Sequence, residues 1–123
     1  MGLRNNFKMS NEKPVRGEVW DVNLDPVLGH EQGGKRPALV VSVNEFNQGP
    51  SGLVTVVPIT SKDRGVRSRV AIEAGEAGLT TRSFAMSEVL RSISLERMTR
   101  RRGMVSPETM EKVEYCMRVI LGI

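Results

Sequence analysis

The chain has 123 residues, enough for one compact domain with a real core and too few for two. Eighteen Lys and Arg against 14 Asp and Glu leave a formal charge of +4, which permits a polyanionic partner without requiring one. One cysteine excludes an internal disulfide, and with one histidine there is no Cys/His zinc cage; no metal or other cofactor is expected, and a cytoplasmic setting follows most easily.

No apolar run approaches the ~18 residues of a membrane span, and the first residues lack the apolar core of a signal peptide. Residues 1–14 read as a mobile tail before one domain, 15–123. The first predicted strand is "GEVWDVNLDP", with Trp20, Val22 and Leu24 on one face at period two, stopped by Asp25-Pro26. A Gly-rich loop follows, then an apolar strand from Ala38 to Val43. "NEFNQGPSG" is a turn-rich connection, and "LVTVVPITS" a nearly continuous apolar strand.

"VAIEA" is a short strand and "GEAGLTTR" a loop. "SFAMSEVLRSI" alternates as one further strand, and "SLERMTRRRGMV" holds a helical turn capped by Ser94, then a basic edge strand. The last element is a helix: Ser106 caps it, Pro107 suits its first position, and Met110, Val113, Met117, Ile120 and Leu121 recur at helical spacing. Many short strands and one closing helix predict a mainly β fold, a small, partly open antiparallel barrel.

Within the Gly-rich loop, Gly29, Gly34 and Lys35 have the spacing of a nucleotide-binding P-loop. Two features exclude that reading. Arg36 stands where the magnesium-holding hydroxyl belongs, and a strand follows where the phosphate-facing helix is required. The loop still carries the single histidine, an acid, an amide and two bases.

Three blocks, "RGEVWDVNLDPVLGHEQGGKRPALVVS" (Arg16 to Ser42), "VVPITS" (Val56 to Ser61) and "EVLRSISLERM" (Glu88 to Met98), resemble the MazF/PemK toxins of bacterial toxin-antitoxin systems, in the family's order and at matching separations. The resemblance runs from about Val15 to the C-terminus. It implies a homodimeric SH3-like barrel of the CcdB/MazF type that cuts single-stranded RNA without metal and is silenced by an acidic antitoxin. Carried over by motif, the catalytic candidates are Arg36 of "RP", Thr60 of "P-x-T" and Glu31 of "EQ", with His30 before that pair. Gln32, Gly33, Gly34, Lys35, Ser61, Glu88 and Arg91 are the RNA-binding candidates. The sequence departs from the PemK-like branch at Met86 and Glu88, where that branch carries an arginine and an aspartate.

The residues themselves suit metal-free RNA cleavage, in which a 2′-hydroxyl attacks its own phosphate to give a 2′,3′-cyclic phosphate and a 5′-hydroxyl. Such a step needs a proton acceptor, donors for the growing negative charge and a proton for the leaving oxygen. Arg36 offers a planar fork of donors, but a group of pKa above ~12 is a poor base. Glu31 or His30 can take the proton, and Thr60 or Ser61 can donate to a phosphate oxygen. Each also has a plainer role: His30 as a surface residue, Glu31 paired with Lys35 and Thr60 as a strand-end cap. The run Arg97, Arg100, Arg101, Arg102 reads equally as a solvated edge and as a grip on the RNA backbone that adds a salt-dependent share of affinity. Two other functions fit a similar barrel: gyrase poisoning without catalysis, as in CcdB toxins, and nucleic-acid binding alone.

Overall fold

The computed structural model describes residues 13–25 and 33–123. His30, Glu31 and Gln32, and all but the last two residues of the expected tail, lie outside them. Seven strands are found among the described residues: β1 (Glu18–Asn23), β2 (Lys35–Val40), β3 (Leu53–Thr60), β4 (Arg69–Ile72), β5 (Ser83–Met86), β6 (Arg91–Ser94) and β7 (Met98–Met104). Two helices complete the fold, a single turn α1 (Asn44–Asn47) and the C-terminal α2 (Pro107–Leu121).

All pairings are antiparallel, in the order β4-β5-β3-β2-β1-β7, with β6 also paired to β3. The mainly β, open barrel with a closing helix is the architecture expected. One expectation is corrected: "SFAMSEVLRSI" is two strands rather than one. Both lie along the same edge of β3, β5 against Ile59 and Thr60 and β6 against Leu53 to Val56. Between them Ser87–Val89 forms a 3₁₀ turn that displaces the register. Alternation in sequence cannot distinguish one long strand from two that share a partner. The connection at Asn44 likewise holds a helical turn, closed by bonds from Asn47 N and Gln48 N to the carbonyls of Val43 and Asn44.

Both faces of the sheet are covered. One side gathers Trp20, Val22, Leu24, Ala38, Val40, Val54, Val56 and Ile93. The other gathers Val19, Leu39, Val57, Ile59, Ile72 and Ala85, with α2 laid over it. Period-two alternation explains the division, since Val19 and Trp20 point to opposite sides of one strand. Ser106 caps α2, accepting from Thr109 N at 3.2 Å, and Gly122 ends it at φ +72°. Thr109, Met110, Val113, Cys116 and Met117 meet the core side, whereas Ile120 and Leu121 are exposed, so the apolar stripe outruns the sheet beneath it.

Candidate active site

Arg36 and Thr60 are brought together by strand pairing. β2 and β3 pair Ala38 with Pro58, Leu39 with Val57 and Val40 with Val56. The paired stretch ends at Ala38 and Pro58, and the two strands run on to Arg36 and Thr60, which line one cavity. Arg36 shares the alternating series of Ala38 and Val40, and Thr60 that of Val54 and Val56. Both stand where these buried rows reach the rim of the barrel.

The Arg36 guanidinium is half-buried and held by backbone alone. Nε donates to Gly33 O at 3.0 Å and one terminal nitrogen to Ile59 O at 3.4 Å. No carboxylate among the described residues pairs with it, so its charge is fixed in direction without being neutralised. Thr60 Oγ1 accepts from Lys62 N at 3.2 Å, which leaves its own proton to donate. The two residues line a cavity of about 370 Å³ with Ser61, Lys62, Thr81 and Arg102. Among the described residues neither Asp nor Glu lines it. Hydroxyls and cations around a free guanidinium suit a phosphate diester and its more highly charged transition state.

Gly33 and Gly34 support this wall. Gly33 supplies the carbonyl that orients Arg36, and Gly34, at φ +77°, donates to Asp25 Oδ1 at 2.8 Å while its carbonyl accepts from Leu24 N. Lys35 is exposed and faces a second cavity, of about 360 Å³, with Asp21, Thr99 and Arg102. Arg36, Pro37 and Arg102 line both cavities.

Glu88 and Arg91 lie along the far edge of β3 and line neither cavity. Glu88 accepts from Ser68 Oγ at 2.7 Å and Arg69 Nε at 2.8 Å. Burial pushes its pKa up, but these two hydrogen bonds, a backbone N–H and the Arg69 charge together hold it below its ordinary value. Arg91 keeps one terminal nitrogen buried without a hydrogen-bond partner. Met86, the other departure, is buried.

Lys62, Thr80, Thr81 and Ser83 join the cavity without having been singled out in the sequence. Their one visible signal is a cluster of hydroxyls in two loops. The basic run resolves into ion pairs: Arg100 and Arg102 share Asp21, at 3.1 and 3.0 Å, Arg101 meets the buried Glu18, and Arg97 reaches the carbonyls of Asn23 and Asp25. Among the described residues no group of three or more His, Cys, Asp and Glu is arranged to hold a metal ion, and no helix is long and apolar enough to cross a membrane.

Comparison with known proteins identifies the family. Residues 15–121 match the family described as PemK-like, MazF-like toxin of type II toxin-antitoxin systems. The chain is 36% identical to endoribonuclease MazF9 of Mycobacterium tuberculosis over 88% of its own length and 96% of the relative's. The crystal structure of MazF from Deinococcus radiodurans superposes with a TM-score of 0.83 at 29% identity, over 92% of this chain and all of that one. A mycobacterial endoribonuclease solved in complex with its cognate antitoxin gives 0.72 at 26% identity, over 89% and 96%. The family match over residues 15–121 and the 36% identity to a relative covered over 96% of its length place the chain in the PemK-like, MazF-like toxin family of type II toxin-antitoxin systems.

Proposed function

We propose that this toxin-family endoribonuclease cleaves single-stranded RNA at short sequences without a metal ion, by attack of the 2′-hydroxyl on the adjacent phosphate. The observation that carries the reading is the Arg36 guanidinium, with no carboxylate partner among the described residues, lining with Thr60 one hydroxyl- and cation-lined cavity. Arg36 stabilises charge on the non-bridging oxygens as the fifth oxygen approaches. Thr60, with Ser61 beside it, donates to the same phosphate. The proton acceptor is assigned to His30 or Glu31, on the loop that leads into Arg36.

Charge also suits the partner. A cationic cleft is blocked by an acidic, partly apolar segment that folds as it covers the site. The exposed apolar residues Tyr115, Val119, Ile120 and Leu121 on the last turns of α2 fit a homodimer.

Incubating the purified protein with a long mixed-sequence RNA in EDTA, then mapping the ends, tests the chemistry. Discrete sites with 2′,3′-cyclic phosphate and 5′-hydroxyl ends are expected, and one 2′-deoxy residue at the cleaved position should block cutting. A 5′-phosphate, or activity that requires magnesium, would overturn the mechanism.

A further inference from the structure

We propose that the cavity bounded by Asp21, Lys35, Thr99 and Arg102 is a second RNA subsite, which binds the backbone phosphate neighbouring the cleaved one, and that Arg102 is its principal ligand. The inference rests on the RNA-cleaving function above and extends it.

Position is the first argument. Arg36, Pro37 and Arg102 form a wall common to the two cavities, so a strand whose scissile phosphate sits at Arg36 continues past Arg102. Among the described residues the second cavity carries three cations, Lys35, Arg36 and Arg102, against one carboxylate, Asp21. That carboxylate already serves two guanidiniums, those of Arg100 and Arg102. The field left for a ligand favours an anion.

The second argument is how Arg102 is held. Its Nη1 donates to Asp21 Oδ1 at 3.0 Å, and its Nη2 and Nε to Gly78 O at 2.7 and 3.3 Å. A guanidinium has five N–H groups. One on each terminal nitrogen therefore remains without a partner among the described residues, in a side chain only 19% exposed.

The backbone is shaped for this. Gly78 lies at φ +74°, and a Cβ there would come within 2.4 Å of Arg102 O; a Cβ on Gly103 would come within 2.8 Å of Ala77 C. Only glycine at both positions lets the 76–78 turn lie directly on β7. The turn is tied to α2 as well, since Glu76 Oε2 accepts from Ser106 N at 2.9 Å and Thr109 Oγ1 at 2.7 Å. Arg102 is thereby preorganised, with Asp21 as its positioning residue, and little side-chain freedom remains to be lost on binding.

The test is fluorescence anisotropy with an RNA that carries a mapped cleavage site made uncleavable by one 2′-deoxy residue, beside shortened versions ending at the scissile nucleotides. Arg102→Gln should bind the full-length RNA about tenfold more weakly, with a salt slope shallower by ~0.7, the share of one single-strand phosphate. The loss should vanish on the shortened RNA that lacks the neighbouring phosphate, and KM should rise more than kcat falls. Wild-type protein should show the same tenfold loss when that phosphate alone is replaced by an uncharged methylphosphonate. This arm needs no variant and stands even if Arg102→Gln fails to fold. An unchanged affinity for the methylphosphonate RNA, or an equal loss on long and shortened RNA with an unchanged slope, would make Arg102 a brace between β7 and the turn and overturn the proposal. Failure of the underlying function is distinguishable: wild-type protein would then neither cut nor bind the unmodified RNA.

Discussion

Two arginine environments stand close together on this barrel and behave oppositely. On β7, Arg100, Arg101 and Arg102 meet Asp21 and Glu18, and Arg97 before them meets two carbonyls. On β2, Arg36 meets only the carbonyls of Gly33 and Ile59, with no carboxylate partner among the described residues. In the run with the most charge, Arg100 and Arg101 therefore contribute mainly to strand pairing, and Arg102 keeps N–H groups without a partner among the described residues, while Arg36 meets no carboxylate among them. Charge density along a sequence is a poor guide to potential in a cleft, because potential depends on what each charge faces.

Substitution at Arg36 should break this comparison most severely. Arg36→Ala is expected to reduce cleavage on the order of a hundredfold or more, the usual cost of a lost preorganised donor, with thermal stability nearly unchanged. Arg36→Lys should recover little, because an ammonium cannot present the planar fork. Near-normal turnover by Arg36→Ala, measured on a mapped RNA site, would show that the free charge is not used.

The paired side is probed at Glu18. This buried carboxylate accepts from Val15 N at 2.8 Å and Trp20 Nε1 at 3.0 Å, besides its ion pair with Arg101. Glu18→Ala leaves all three donors without it and should cost about 2 kcal/mol in denaturant unfolding. Cleavage at temperatures where the variant is folded should change little. A large catalytic defect with normal stability would join the two environments into one site.

Glu88 gives a pH-dependent intermediate case. Its pKa is held below the ordinary 4.5 in the folded state, so the stability it adds is present above that value and lost as pH falls through the lower folded one. Glu88→Gln should therefore be less stable than wild type at neutral pH, and the two should converge below pH 4.5. A difference that persists in acid would point to packing rather than charge. The smallest effect is expected at Arg100, whose side chain is 68% exposed. Arg100→Ala should stay within about 0.5 kcal/mol of wild type, since exposed ion pairs contribute little.

The strands of Val22, Val40 and Val56 were readable because each alternates or runs apolar between turn residues, and α2 because Ser106, Pro107 and the Met110–Val113–Met117 spacing agree. The break at Ser87–Val89 was not readable, since both halves keep strand-like alternation and only their shared partner β3 reveals the offset. Ile120 and Leu121 mislead in the same way: helical periodicity records an apolar stripe but not where the sheet under it ends. Within the site, Arg36 and Thr60 were identifiable from short motifs. Thr81 and Arg102 became neighbours of these only through folding.

By itself the sequence determined most of the strands, the closing helix and the residue chemistry suited to phosphate, because these follow from local periodicity and side-chain pKa. Tertiary structure decided which arginines remain electrostatically available. Asp21 and Arg100 are far apart in the chain, and their 3.1 Å contact exists because β1 and β7 are adjacent in the sheet. Arg36 has no such acid among the described residues, because the register of β2 on β1 sets it opposite Val22 rather than a carboxylate. Pairing between distant strands is a property of the whole barrel, and it assigned opposite roles to chemically identical side chains.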